Sequence, residues 1–148
     1  MGLAGFLDRR FLGPILMLNF VLYVIVLGIA GWALDNTIES LPIYGNEATN
    51  TFIQFSLIAG VVGVASIVSG LHLIKDWRDD NNVTANLCSA LISWLLLLLA
   101  FGLACKEIHM GGEGTTLKFM ETFVIILTAT HGFYVAMLHS RSLVRLPV

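Results

Sequence analysis

Asn19 and His131 carry the greatest capacity for chemistry within the long apolar stretches of this sequence. A polar side chain surrounded by hydrocarbon costs free energy unless it is paired or lines a cavity, so it indicates a function more strongly than a surface residue does. An imidazole donates and accepts hydrogen bonds and takes up a proton near neutral pH, which suits it to meet a ligand's carboxylate. We therefore take both residues as candidates for substrate binding.

Ser66 and Ser93 extend this candidate site. If the apolar stretches are antiparallel helices, Asn19 and His131 lie about two helical turns from the same end of the molecule, and both serines lie within roughly one turn of that level. The four side chains then form either a small polar pocket that binds a ligand or an interhelical clamp whose hydrogen bonds contribute about 0.6 kcal/mol each. The sequence leaves both interpretations open.

The segment CKEIH, residues 105–109, follows the third apolar stretch and leads into two glycines. Lys106 and His109 can accept a carboxylate at the surface, so we include both among the candidate substrate-binding residues. Glu107 and His109, with Glu113 nearby, are too few ligands for a zinc site, which takes about four. We therefore predict neither a metal nor a cofactor.

Catalytic motifs are missing from the sequence. It contains no HExxH, no P-loop, no dinucleotide-binding fingerprint and no nucleophile in helical register with a base. Lys and Arg together number 8 among 148 residues, and the net charge is −2, so a nucleic-acid partner is not expected. We expect a protein that is not an enzyme.

The composition places these residues in a membrane. Hydrophobic residues make up 57% of the chain and charged residues 12%, and the mean hydropathy is +0.85, whereas soluble domains average about 25% charged residues. A bilayer core about 30 Å thick requires roughly 20 apolar residues for each helix that crosses it. Four stretches meet this length, and they are continuous rather than alternating, which excludes a β-barrel. They are residues 11–34, 51–74, 85–105 and 117–138.

These stretches predict an all-α protein, a single four-span transmembrane domain over residues 1–148 that forms a four-helix bundle. Basic residues are enriched on the cytoplasmic side of membrane proteins. In this topology Lys106 and Lys118 lie on one side and every other basic residue on the opposite side, so both termini are predicted to be cytoplasmic. The residues on the cytoplasmic side are Arg9, Arg10, Lys75, Arg78, Arg141 and Arg145.

Small residues recur at helical spacing in the second and third stretches. Such stripes let helix backbones approach closely in lipid, where hydrophobic burial does not drive association. We therefore predict that the second and third helices pack as a tight antiparallel hairpin, although Gly and Ala are also simply common in membrane helices. The stripes are Ser56, Ala59, Gly63, Ser66 and Gly70 in the second helix and Ala90, Ser93, Ala100 and Ala104 in the third.

Two segments of the chain resemble the AWPM-19-like family. They are FGLACKEIHMGG, residues 101–112, and ETFVIILTATHGFYVAMLH, residues 121–139. Residues 14–32 and 57–72 are similar to the first and second helices of the same family, so the resemblance covers nearly the whole chain. It implies a four-span plasma-membrane protein of plants that is induced by abscisic acid and by dehydration. It also implies transport, because some members are regarded as importers of abscisic acid.

The sequence is compatible with two functions. The first is facilitated uptake of a small weak acid such as abscisic acid across the plasma membrane. The second is a structural role, in which a tetraspan protein packs laterally, stabilises the membrane or scaffolds other membrane proteins under stress. The expected partners are the lipid bilayer, abscisic acid in the first case, and a second copy or another membrane protein.

Overall fold

The computed structural model describes residues 9–39, 46–75, 80–111 and 114–144. These residues form four long helices and contain no strand, which confirms the predicted all-α bundle. In chain order the helices are α1 (Arg9–Ile38), α2 (Thr49–Lys75), α3 (Asp80–Met110) and α4 (Thr115–Val144).

Each predicted span lies within one of these helices, and every helix is longer than its apolar stretch at both ends. All four are long and apolar enough to cross a membrane. The largest extension is at the end of α4, where residues 139–144 are still helical. Hydropathy marks where hydrocarbon would end, whereas a helix continues for as long as its backbone hydrogen bonds can form.

Local hydrogen bonds set two of the helix ends. Before α2, the Ala48 N–H donates to Asn46 Oδ1 at 2.9 Å and the Asn46 N–H donates to Thr49 Oγ1 at 2.8 Å, which satisfies backbone donors at the helix start. After α3, Gly111 adopts a φ of +68°, and its N–H donates to the Glu107 carbonyl at 2.9 Å. Glycine suits this left-handed position because it has no Cβ, so α3 ends there.

The helices form a closed ring. Each consecutive pair is in contact, and α1 also packs against α4, whereas the diagonal pairs α1/α3 and α2/α4 approach each other far less. Neighbouring helices run antiparallel, so α1 and α3 end where α2 and α4 begin. We name this the Glu107 end, and the opposite end, where α2 finishes, the Lys75 end.

Large apolar side chains cover the outside of the ring. Trp32, Val61, Leu95, Phe119 and Phe133 are all at least half exposed. In water such a surface would drive aggregation, whereas a lipid bilayer solvates it. Several polar side chains of the spans, among them Asn19, Ser93 and His131, are instead buried inside the ring.

The small-residue stripes face the interior, but the glycines of α2 meet a different helix from the one expected. A Cβ built on Gly60 would lie 2.6 Å from Leu27 Cδ2, and one built on Gly63 would overlap the Tyr23 ring, so α1 packs into these positions. Although α2 and α3 are neighbours as predicted, the closest approach at Gly60 and Gly63 is to α1. The residues proposed for packing are all buried: Ser56, Ala59, Gly63, Ser66, Gly70, Ala90, Ala100 and Ala104.

Gly63→Ala is expected to destabilise the bundle, because its new methyl group would collide with the Tyr23 ring. Overpacking of this kind costs about 1–3 kcal/mol, which outweighs the gain in helix propensity. Gly28→Ala is the matched control, since nothing lies within 4 Å of a Cβ built there. Thermal unfolding in detergent should show a lower midpoint for Gly63→Ala than for the control. Equal midpoints would contradict the close contact.

Candidate functional site in the bundle interior

A hydrogen-bonded chain of side chains crosses the middle of the bundle. The Tyr23 hydroxyl of α1 lies 2.9 Å from His131 Nδ1 of α4 and 3.2 Å from Ser93 Oγ of α3. His131 Nε2 lies 3.1 Å from the backbone carbonyl of Ala90 on α3. These contacts join three of the four helices at one level.

The donor and acceptor groups determine the direction of each hydrogen bond in this chain. A carbonyl oxygen only accepts, so His131 Nε2 carries a proton and donates to Ala90. In a neutral imidazole Nδ1 then accepts from the Tyr23 hydroxyl, which in turn accepts from Ser93. Both ring nitrogens of His131 are thereby engaged. This arrangement fits the clamp interpretation for His131 and Ser93, because neither nitrogen is left over for a ligand.

Two tyrosine rings hold the imidazole in place. The Tyr23 and His131 rings meet edge to face, with centroids 5.7 Å apart and planes at 82°. The Tyr134 ring also meets the imidazole edge to face, with centroids 5.6 Å apart and planes at 86°. All three side chains are fully buried, so His131 sits in an aromatic frame rather than in an open pocket.

Asn19 and Ser66 lie in the same interior but outside the hydrogen-bonded chain. Both are buried, and within the part of the chain that the structure describes neither side chain has a hydrogen-bond partner. Asn19 lies one turn before Tyr23 on α1, and Ser66 lies three residues after Gly63 on α2. The structure therefore places the four interior candidates near one level but connects only Ser93 and His131.

Lys106 and His109 lie elsewhere. Both are exposed at the Glu107 end, on the outside of α3, and they do not join the interior residues. Between them, Glu107 is turned inward and is fully buried. The carboxylate accepts a hydrogen bond from Thr49 Oγ1 of α2 at 2.6 Å. Asn46 Nδ2 donates to the Glu107 carbonyl at 3.2 Å, which fastens the start of α2 to the end of α3.

A second acidic side chain is buried near the same end. Glu121 of α4 is 3% exposed and lies within two turns of the helix start. Carboxylates are expensive to bury in a membrane unless they are paired or hydrogen-bonded, so two of them within one bundle end mark a polar part of the interior. Within the described ranges, no three His, Cys, Asp or Glu side chains converge on one point. Glu113 lies outside those ranges.

Sequence reasoning missed Tyr23 and the inward orientation of Glu107. A tyrosine within a leucine-rich stretch resembles any other apolar core residue, so its hydroxyl gave no signal without a three-dimensional partner. For Glu107 a signal existed: it continues the spacing of Ala100 and Ala104 and so belongs to the buried face of α3. Lys106 and His109 fall off that face.

The chain resembles known proteins over most of its length. The model of the AWPM-19-like family matches residues 17–141. The protein named "Membrane protein PM19L" from Oryza sativa subsp. japonica is 46% identical to the chain over 142 residues, which cover 93% of this chain and 81% of that relative. No solved structure matches the chain significantly.

Tyr23→Phe is expected to destabilise the bundle by about 1 kcal/mol, because it keeps the ring against Gly63 but removes both hydroxyl bonds. The matched control is Tyr134→Phe, whose hydroxyl has no protein partner among the described residues. Thermal unfolding in detergent should separate the two variants. A Tyr134→Phe loss as large as that of Tyr23→Phe would contradict a special role for the central chain.

Thr49→Val is expected to destabilise the protein by about 1–3 kcal/mol, because the buried Glu107 carboxylate loses its hydroxyl donor. Thr51→Val is the control, since Thr51 is exposed two residues further along the same helix. Unfolding midpoints measured in the same detergent should fall for Thr49→Val and stay near wild type for Thr51→Val. Unchanged stability in both variants would show that Glu107 does not depend on Thr49.

Proposed function

Because the chain belongs to the AWPM-19-like family, we propose that it facilitates the uptake of a small weak acid, such as abscisic acid, across the plant plasma membrane during dehydration. The family match covers residues 17–141, and the rice relative is itself described as a membrane protein. In this proposal both termini are cytoplasmic, so the Glu107 end faces outward.

The observation that supports transport is a column of buried polar side chains along the bundle. It begins with Glu107 and Glu121 at the Glu107 end, continues through the Tyr23–His131 pair, and extends towards the Lys75 end through Asn19. A purely structural bundle could pack apolar side chains at all these positions. Polar groups in a membrane interior are costly, and they commonly mark the path of an ion or a substrate.

The charge distribution favours passage of the acid in its neutral form. Lys106 and His109 are exposed at the Glu107 end, where they can attract a carboxylate from solution. Deeper in the bundle the helices carry no Asp, Glu, Lys or Arg, as the sequence shows for residues 11–34, 50–74, 81–105 and 122–140. A carboxylate would find no fixed cation there, so the acid would shed its charge by protonation before it enters.

Passage requires the interior to open. The Tyr23 hydroxyl ties α1 to α3 and α4, so a substrate the size of abscisic acid has to part these bonds or reach the column between helices. Four helices are few for an alternating-access mechanism, which usually relies on repeated halves. A second copy of the chain or another membrane protein could supply the remaining wall of the path.

The structural alternative receives less support from the packing. It was motivated by stripes of small residues, which could mediate lateral assembly. Those residues are buried within the chain itself, and Leu27 and Tyr23 of α1 pack against Gly60 and Gly63 of α2. The stripes are thus already used, and the exposed surface that remains consists mainly of large apolar side chains.

The test is uptake of labelled abscisic acid into liposomes that contain the purified protein. We expect uptake above that of empty liposomes, increasing as the external pH falls, because the neutral fraction of the acid rises. His131→Ala should slow uptake severalfold, since it interrupts the polar column, while Phe133→Ala, which alters an exposed side chain two residues away, should not. Folded, oriented protein whose uptake equals that of empty liposomes would reject transport by this chain alone.

A further inference from the structure

Four buried side chains in the half of the bundle towards the Lys75 end, one from each helix, carry polar atoms that have no hydrogen-bond partner among the described residues. Within the described residues no hydrogen-bond partner is present for either amide atom of Asn19, for Ser66 Oγ, for Asn86 Oδ1 or for the Tyr134 hydroxyl. Their side chains are between 0% and 6% exposed. Buried polar groups in proteins are almost always satisfied by protein or by ordered solvent, so a cluster of four requires an explanation.

The helix register brings Asn19 and Ser66 to the same level. On α1, Tyr23 packs at Gly63 of α2, and seven residues earlier Leu16 packs at Gly70. The two antiparallel helices therefore keep the same register between these contacts. Asn19 lies between the two α1 positions and Ser66 between the two α2 positions, so the two residues lie within one residue of the same height.

Contacts with the other two helices bring in Tyr134 and Asn86. A Cβ built on Gly70 would lie 2.5 Å from the Tyr134 hydroxyl and 3.1 Å from Leu16 Cδ2. The Tyr134 hydroxyl therefore reaches across the helix bundle from α4 to α2. On α3, Asn86 lies seven residues before Ser93, as Leu16 lies seven before Tyr23 on the parallel helix α1. Asn86 is therefore level with Leu16 and with the Tyr134 hydroxyl.

The free groups include both donors and acceptors. The Asn19 amide offers two N–H donors and a carbonyl, and Ser66 and Tyr134 each offer a hydroxyl. Asn86 offers its Oδ1, while its Nδ2 donates to the Asn82 carbonyl at 2.8 Å. The spans carry no fixed charge at this depth. A guest that satisfies these groups must therefore be uncharged and must both donate and accept.

We propose that Asn19, Ser66, Asn86 and Tyr134 form a binding site for an uncharged hydrogen-bonding group, which we call the neutral-group site. Water has this chemistry, and so does an undissociated carboxyl group, which can pair with the Asn19 amide through two parallel hydrogen bonds. The choice of a carboxyl guest rests on the proposed function, whereas a water guest does not. On this proposal Asn19 contacts the substrate. His131, whose two ring nitrogens are already hydrogen-bonded, positions Tyr23 and Tyr134.

The first experiment detects water at the site by solid-state NMR of isotope-labelled protein in lipid bilayers. Magnetisation transferred from water protons to the Asn19 side-chain amide should build up severalfold faster than transfer to the Trp94 indole N–H, which bonds to the Thr128 carbonyl at 3.1 Å. The exposed Asn50 amide is the positive reference. Build-up at Asn19 as slow as at Trp94 would exclude water.

The second experiment detects an organic guest through the unfolding midpoint of the protein in detergent at neutral pH. Benzamide has a neutral head with an adjacent donor and acceptor, whereas benzoate has the same ring with a charged head. Saturating benzamide should raise the midpoint by about 3 °C, and benzoate should not. Asn19→Leu should abolish the benzamide shift, whereas Asn50→Leu, at an exposed position, should keep it.

The outcomes separate this proposal from the proposed function. Water transfer alone, a benzamide shift alone, or both support the site and identify its guest. The absence of both signals, or a benzoate shift equal to the benzamide shift, overturns the proposal. Uptake of abscisic acid that persists without either signal would leave the proposed function standing and reject the site. Either signal at the site without uptake of abscisic acid would support the site and reject the proposed function.

Discussion

The contact between the Tyr23 ring and Gly63 holds the rest of the interior in place. Because Gly63 has no side chain, the ring lies against the backbone of α2, and its hydroxyl reaches His131 and Ser93 on the two other helices. One residue thus fixes the height of α1 relative to all its neighbours. The levels of Asn19, Ser66 and the other polar groups follow from this register, because each lies a set number of residues from it.

Hydropathy predicted the number of helices and their approximate positions, because each span has to cross a hydrocarbon layer of fixed thickness. It could not predict their ends. The end of α3 depends on the left-handed conformation of Gly111, and the start of α2 depends on the hydrogen bonds of Asn46 and Thr49. These are local stereochemical features that extend the helices beyond the apolar stretches, and an average over many residues does not detect them.

The candidate site was predicted in part. Asn19, Ser66, Ser93 and His131 stand out because polar residues are rare in such stretches, and the structure places all four inside the bundle. Their pairing was not predictable, because it depends on the tyrosines, whose rings give no polar signal in a hydropathy profile. Periodicity could have done more on α3. There the buried face recurs through Asn86, Ala90, Ser93, Leu97, Ala100, Ala104 and Glu107.

Each interface between two neighbouring helices of the closed ring is a seam, and one of the four seams is unlike the others. Helices α1 and α4 are in contact although they are first and last in the chain, whereas each of the other three seams is bridged by a connection between consecutive helices. Side-chain contacts, including the Tyr23–His131 bond, therefore resist separation at this seam. No connection between consecutive helices joins α1 to α4, so parting these two helices strains no covalent link between them and opens the bundle axis towards the surrounding acyl chains.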